Sequence, residues 1–414
     1  MVAKTKINET GDCIFTEQDA IDLLYTNPKF DISKLFFGSE YKELKKFDSL
    51  SDSNRSIVFY AENKASMNHF ELLISELTKK MDLEICYVTS VKNDPMLVTN
   101  NKKIKSFYIG DSTVRTKFFL SLKTKILVMD MPDLDRFHIK RSKTYPVHYV
   151  YLFHSMFSVH SYLREGALNN YDTIFCVGNH HVDEIREIEK VYDLKPKQLV
   201  HYGYGRLDSL LQEKNNFLEF DSEEKLILIA PSYGENNLLE ICGIKLIDIL
   251  LRANFKVLLR PHFRLFKDSS KLIDLLKKKF ERNPNFILEE GVIPSELFFN
   301  STCMISDWSG ISLEYAFTLE RKVIFIDTPQ KILNRNINKI SAEPIEISIR
   351  EKVGNIVSPN DLDRIPSIIQ NLFKNNQEIK QTIKELRMKI VYNIGNSAEV
   401  GARYIQELNN KLSS

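Results

Sequence analysis

Short apolar runs recur along this chain, and most are followed by a stretch whose apolar residues fall at helical spacing. Ile57-Val58-Phe59-Tyr60, Leu226-Ile227-Leu228-Ile229-Ala230 and Val323-Ile324-Phe325-Ile326 are examples. A strand covered on both faces reads as a continuous apolar run, and parallel neighbours need a crossover, normally helical, to join them. The pattern therefore predicts parallel sheets with helices on both faces. In the first series, strands are expected over 57–60, 83–88, 125–129, 148–153, 173–177 and 198–202, with helices over 68–81 and 182–191. A polar, charged stretch over 211–224 interrupts the alternation. The second series places strands over 226–230, 255–259, 286–288, 303–305 and 323–326. Its helices are expected over 238–251, 271–280, 294–299 and 311–319, and the chain reads as helical from about 361 onward.

The expected fold is α/β, with two facing Rossmann-like domains, an N-terminal extension and C-terminal helices. The extension spans 1–54, the first domain 55–212, the linker 213–224, and the second domain with the terminal helices 225–414. A length of 414 residues fits two such cores better than one. The formal net charge of +2 is close to balance and argues against a chain that wraps nucleic acid. The residues 1–10 lack the apolar core of a secretory signal. The longest apolar stretch, 146–163, is broken by His148, His154 and His160, so no membrane span is expected. The five cysteines form no CxxC pair, and Cys86, Cys176 and Cys303 lie inside apolar runs. They read as buried thiols of a reducing, cytoplasmic compartment.

Open α/β sheets put their chemistry just beyond the carboxyl ends of strands. Two strands here run directly into histidines: Tyr149-Val150-Tyr151-Leu152-Phe153-His154 and Lys256-Val257-Leu258-Leu259-Arg260-Pro261-His262. An imidazole titrates near neutrality and suits general-base work, which makes His154 the candidate base. His262 is the second candidate catalytic residue. Arg260 offers a planar fork for phosphate oxygens, and Pro261 stiffens the turn that holds both. Ser306-Asp307-Trp308-Ser309-Gly310 lies between a strand and a helix. Backbone N–H groups, the hydroxyls of Ser306 and Ser309, and the bare Gly310 could cradle a phosphate there, and the same residues could serve as a plain helix cap. Asp307 would repel phosphate and is assigned to orientation or capping. Glu314, one turn into the helix, is within range of a ribose hydroxyl. Ser232 and Tyr233 open the second half and could line donor phosphates or simply form the turn. His160, His180 and His181 read as surface or supporting residues, and Gly203 to Asp208 as a structural turn. No metal site is legible. No tightly bound cofactor is expected, and magnesium is admitted only as a companion of a diphosphate.

Taken in order, these segments resemble the CDP-glycerol:poly(glycerophosphate) glycerophosphotransferase family, which makes teichoic-acid-type polymers and related surface glycans. The resemblance runs from about 147 to 327. It rests on His154, the run Tyr171 to Gly178, Gly203 to Asp208, Ala230-Pro231-Ser232-Tyr233, Arg260-Pro261-His262 and Ser306-Asp307-Trp308-Ser309. It implies a GT-B-type architecture and transfer of glycerol phosphate from CDP-glycerol to a glycan or lipid-linked acceptor, with release of CMP. The family's two important histidines would correspond to His154 and His262. Two positions depart from its pattern: Phe153-His154-Ser155 stands where Trp-His-Gly is usual, and Ser232-Tyr233 where Thr-Trp or Thr-Phe is usual. The family's acceptors imply at most peripheral contact at the inner face of the cytoplasmic membrane, and Lys277-Lys278-Lys279 more simply reads as a solvated helix face. The rival readings are a GT-B glycosyltransferase using a nucleotide sugar, an epimerase of similar fold, and a non-catalytic scaffold in polysaccharide assembly.

Overall fold

The computed structural model describes residues 6–7, 13–14, 17–30, 32, 38–217, 225–291, 295–372 and 376–413. Two all-parallel sheets dominate it. The first has seven strands: β1 (Ile57–Ala61), β2 (Ile85–Thr89), β3 (Ile104–Tyr108), β4 (Ile126–Met129), β5 (His148–Leu152), β6 (Thr173–Cys176) and β7 (Gln198–His201). Their spatial order is β3-β2-β1-β4-β5-β6-β7. The second has six: β8 (Leu226–Ala230), β9 (Lys256–Leu259), β10 (Phe286–Leu288), β11 (Cys303–Ser306), β12 (Val323–Ile326) and β13 (Gly354–Val357), in the order β10-β9-β8-β11-β12-β13. Both orders reverse after the first strand of their sheet. The resulting crevices, between β1 and β4 and between β8 and β11, are where such folds bind ligands.

The central strands are apolar because nothing on either face is wet. Ile57 to Ala61, Ile126 to Met129 and Leu226 to Ala230 are buried throughout. Cys86, Cys176, Cys242 and Cys303 are free and buried. The expected linker is in part helix, because α6 (Gly205–Asn215) covers its first residues, while 218–224 lies outside the described residues. Pro294, expected to open a helix, also lies outside them, and that helix runs Ser295–Asn300.

Two expectations about domain membership need correction. Much of the described part of the N-terminal extension is built into the first domain: α1 (Glu17–Thr26) packs on α4 (Thr113–Ser121), and Leu44 and Phe47 of α2 (Ser39–Asp48) join its core. At the other end, α12 (Ser397–Lys411) lies against the first domain, not the second. Its Ala402 and Ile405 belong to the same cluster as Phe59, Phe175 and Tyr202. Glycines admit this return of the chain. A side-chain carbon on Gly178 would lie 1.8 Å from the Ile390 carbonyl oxygen, and one on Gly203, whose φ is +104°, would lie 2.3 Å from that of Tyr392. Asp208 fastens the junction by accepting hydrogen bonds from the Gly395 and Ser397 N–H groups at 2.7 and 3.1 Å. The helices are amphipathic, so sequence predicts that they pack but not on which domain.

Candidate active site

His154 stands two residues beyond β5, half-buried. Its Nδ1 is 2.9 Å from the Asp130 carbonyl oxygen at the end of β4. A carbonyl can only accept, so Nδ1 carries the proton and Nε2 keeps its lone pair. The Tyr151 hydroxyl lies 3.2 Å from the same Nδ1. Burial pushes the imidazole pKa down, with the bond to Asp130 opposing. His154 is thus a neutral base with a fixed tautomer.

The segment after it is braced by histidines. His181 is buried; its Nε2–H donates to the Phe157 carbonyl at 2.8 Å, and its Nδ1 accepts from the Val177 N–H at 3.3 Å. His180 Nε2 bonds the Met156 carbonyl at 3.0 Å. His160 is 1% exposed and lies 3.0 Å from Glu184. The surface option for His160 and His181 is corrected accordingly: they are interior supports, as α5 (Asn179–Val191) packs directly beneath the loop.

Across the cleft the second domain presents a basic cluster. His262 follows β9, and its Nδ1 accepts from the Arg264 N–H at 3.3 Å, which leaves the proton on Nε2. Burial first, then Lys331, Arg260 and Arg264, push its pKa down to about 3. It is therefore a neutral hydrogen-bond donor. The two strand-end histidines have opposite tautomers, one suited to take a proton and the other to donate a hydrogen bond. Arg260 is half-buried beyond β9. Tyr233 lies with its ring centroid 4.5 Å from that of His262, 4.5 Å from the Arg264 guanidinium carbon and 3.0 Å from Lys331 Nζ.

Ser306 and Asp307 both point inward, which corrects the expectation that the Ser306 hydroxyl faces a phosphate and gives Asp307 an orienting part. Ser306 Oγ donates to the Ala230 carbonyl at 2.6 Å, across the β8–β11 crevice. The buried Asp307 carboxylate accepts from Ser232 N–H at 2.6 Å, Ser232 Oγ at 3.0 Å and Leu238 N–H at 2.9 Å. Burial raises its pKa and these bonds oppose the rise. Asp307 and Ser232 tie the loops after β8 and β11 together, and the Ser232 hydroxyl is committed to that tie. Ser309 stays half-buried at the start of α9 (Ile311–Leu319). Gly310 has another duty: a side-chain carbon there would meet Ser155 Oγ at 2.7 Å. Ser155 directly follows His154, so this contact sets the second domain against the base-bearing loop.

Glu314 also reaches across. The Tyr204 hydroxyl lies 2.7 Å from Glu314 Oε1 and 3.2 Å from the His154 carbonyl oxygen, both of which only accept. Tyr204 belongs to the first domain and Glu314 to α9 of the second. Sequence reasoning missed Tyr204, Lys331, Arg264 and His69. His69 lies on α3 (Ser66–Ser75), 6.4 Å from His154 between ring centroids. Burial, helped by His154 and Arg206, pushes it down to about 3. Arg264, two residues past His262, could have been noted as part of the same basic turn. The others carry no local signal, since their significance comes from residues distant in sequence.

Two facing Rossmann-like domains with reactive side chains at the strand ends between them define a protein of GT-B type. The chain belongs to the CDP-glycerol:poly(glycerophosphate) glycerophosphotransferase family, whose model matches residues 44–331. Among solved structures it is similar to the wall teichoic acid polymerase TagF soaked with CDPG, with a TM-score of 0.59 at 14% identity, covering 96% of this chain and 98% of that one. It is also similar to S. aureus MnaA in a structure with UDP (TM-score 0.55, 12% identity, 87% of this chain and 97% of that one). A third likeness is to the Methanocaldococcus jannaschii UDP-GlcNAc 2-epimerase (TM-score 0.52, 13% identity, 86% and 99%). At these identities the likenesses speak for the fold. A search of curated sequences returned no match. Among the described residues, no helix is long and apolar enough to cross a membrane, and no three His, Cys, Asp or Glu side chains converge on a metal position.

Proposed function

We propose that the protein transfers glycerol phosphate from CDP-glycerol to a hydroxyl of a surface-glycan or lipid-linked acceptor, releasing CMP. Family membership supports the reaction class. The observation that carries the assignment of roles is the His154 Nδ1–Asp130 carbonyl bond, which leaves Nε2 as a base. In this reading the acceptor oxygen attacks the phosphorus that bears glycerol and forms a new P–O bond. Its proton passes to His154 Nε2. The bond from that phosphorus to the bridging oxygen breaks, and CMP leaves with that oxygen. Arg260 and the Nε2–H of His262 neutralise the diphosphate as negative charge shifts onto the leaving group. The loop that Ser232 and Asp307 hold in place, the backbone and hydroxyl of Ser309, and the aromatic face of Tyr233 shape the donor side. Glu314 keeps the two sides aligned through Tyr204. Positioning and charge stabilisation provide most of the acceleration in phosphoryl transfer, and a general base adds about 10²–10⁴-fold. Where the acceptor is lipid-linked, contact with the membrane would be peripheral.

The test is CMP release from CDP-glycerol over a panel of glycan and lipid-linked acceptors. His154→Ala should lose about 10²-fold or more in turnover while CDP-glycerol still binds. Turnover at the wild-type rate in that variant would refute the role of His154. Release of a nucleotide from a sugar donor instead of from CDP-glycerol would refute the donor.

A further inference from the structure

The segment that leaves β12 runs from the second domain to the first. Its start is pinned within the second domain. Arg350 pairs with Asp327 at 3.1 Å, and the Trp308 indole N–H donates to the Thr328 carbonyl at 2.9 Å. It then crosses to the first domain. The Leu333 N–H donates to the Ser161 carbonyl at 3.0 Å, and the Ser341 and Ala342 N–H groups donate to Glu187 at 2.7 and 3.3 Å. Beyond it, Glu346 accepts from the Ser158 N–H at 3.0 Å and the Ser158 hydroxyl at 2.8 Å. Residues 327–346 therefore strap one domain to the other beside the cleft.

Lys331 lies on this strap between its anchors, half-buried, with Nζ 3.0 Å from the Tyr233 ring centroid. The groups facing it are Tyr233 from the loop after β8, His262 and Arg264 from the turn after β9, and Asp307 from the end of β11. Asp307 is the one carboxylate among them, and it already accepts three hydrogen bonds. Burial pushes Lys331 down to about 8; Asp307 opposes this and Arg264 adds to it. A partly desolvated ammonium beside an arginine is costly unless an anion compensates it. An aromatic face holds a cation in place without neutralising it.

We propose that Lys331 is a phosphate-binding residue of the donor cleft, presented by the interdomain strap to the phosphate that leaves with the nucleotide. This rests on the donor reading above. A lysine on a strap anchored in both domains has a consequence: the phosphate contact is complete only when the domains are clasped. Binding a phosphate dianion raises the lysine pKa, so nucleotide affinity should fall as pH rises past about 8. His262, near 3, stays neutral through that range. The second ionisation of a phosphate monoester, near about 6, is complete below it.

The experiment is calorimetric titration of the full chain with CMP and, separately, with inorganic pyrophosphate, from about pH 7 to about pH 9.5. Wild-type affinity for CMP should fall about tenfold over that range; pyrophosphate, which itself loses a proton within it, is read as the difference between wild type and Lys331→Met at each pH. Lys331→Met should bind about 10–100-fold more weakly at pH 7 and show a flat profile. Lys331→Arg should bind nearly as tightly as wild type with a flat profile, since arginine stays charged. Equal binding by wild type and Lys331→Met overturns the proposal. So does a pH-dependent fall that persists in Lys331→Arg, which would assign the titration to another group. Wild-type binding of pyrophosphate but not CMP refutes the cytidine donor while Lys331 is still measured. Binding of neither refutes both.

Discussion

Replacing Asp130 by asparagine should stabilise the protein in mild alkali and do little in acid. The Asp130 side chain is 5% exposed at the end of β4, and its oxygen Oδ1 accepts from Ser66 Oγ at 3.0 Å. Burial raises its pKa from an ordinary 3.8 to about 7, against the opposing bonds from Ser66 and its own backbone N–H. An acid whose pKa is raised on folding favours the folded state fully below its unfolded pKa. That contribution is lost as pH rises, and the loss is complete above the folded pKa. A shift of about 3 units at about 1.4 kcal/mol each sets an upper bound of about 4 kcal/mol for the cost of the charge above pH 7. Asparagine keeps the size and can keep the Ser66 bond through its carbonyl oxygen, but has no charge to bury. At about 2–4 °C per kcal/mol, that bound corresponds to about 8–16 °C, so the melting temperature of Asp130→Asn should exceed that of wild type by several degrees and by no more than that near pH 8.5. Near pH 4 the two should melt together. Thermal unfolding followed by circular dichroism across this range reads the difference directly. A shift of the same size at both pH values would mean that packing, and not ionisation, governs the site, and would refute the reasoning.

Two further outcomes follow from contacts between the domains. Tyr204→Phe keeps the ring but removes the hydroxyl shared by Glu314 and the His154 carbonyl. A hydrogen bond to a charged group contributes about 1.5–3 kcal/mol, so kcat should fall about 10–100-fold with donor affinity little changed; a steady-state measurement showing wild-type kcat would refute the alignment role. Gly310→Ala drives a methyl group into Ser155 Oγ and should cost about 1–3 kcal/mol in domain closure or stability. Adding Ser155→Gly should restore most of the loss in the same activity and melting assays, and a double variant no better than the single would refute the contact.

Much of the fold was legible because the central strands are short, apolar and covered on both faces. The strands Leu226–Ala230, Phe286–Leu288 and Val323–Ile326, and the helix Ile311–Leu319, lie where the sequence puts them. The missed strands are those at sheet edges. β3 reads Ile-Lys-Ser-Phe-Tyr and β13 reads Gly-Asn-Ile-Val, and each is partly exposed. An edge strand has one neighbour and tolerates polar side chains, so it leaves no continuous apolar run. α6 was missed for a related reason: it begins in a Gly-Tyr-Gly turn and ends in a charged stretch, and only packing against α3 and α9 reveals its role.

The sequence by itself determined the pair of parallel sheets, the strand-end placement of His154 and His262, and the family. Those depend on local patterns: burial writes apolar runs, and sheet direction fixes which strand end meets the crevice. The division of labour within the site needed the tertiary structure. Ser306, Asp307 and Gly310 sit in one motif, yet the first two turn inward to join β8 and β11, while Gly310 abuts the first domain. The tautomers of the two histidines follow from one carbonyl of Asp130 and one N–H of Arg264. Tyr204, His69 and Lys331 enter only because chain segments far apart in sequence meet at the cleft. A motif constrains its own backbone; the direction a side chain takes, its protonation and its partner depend on the field and packing of everything folded against it.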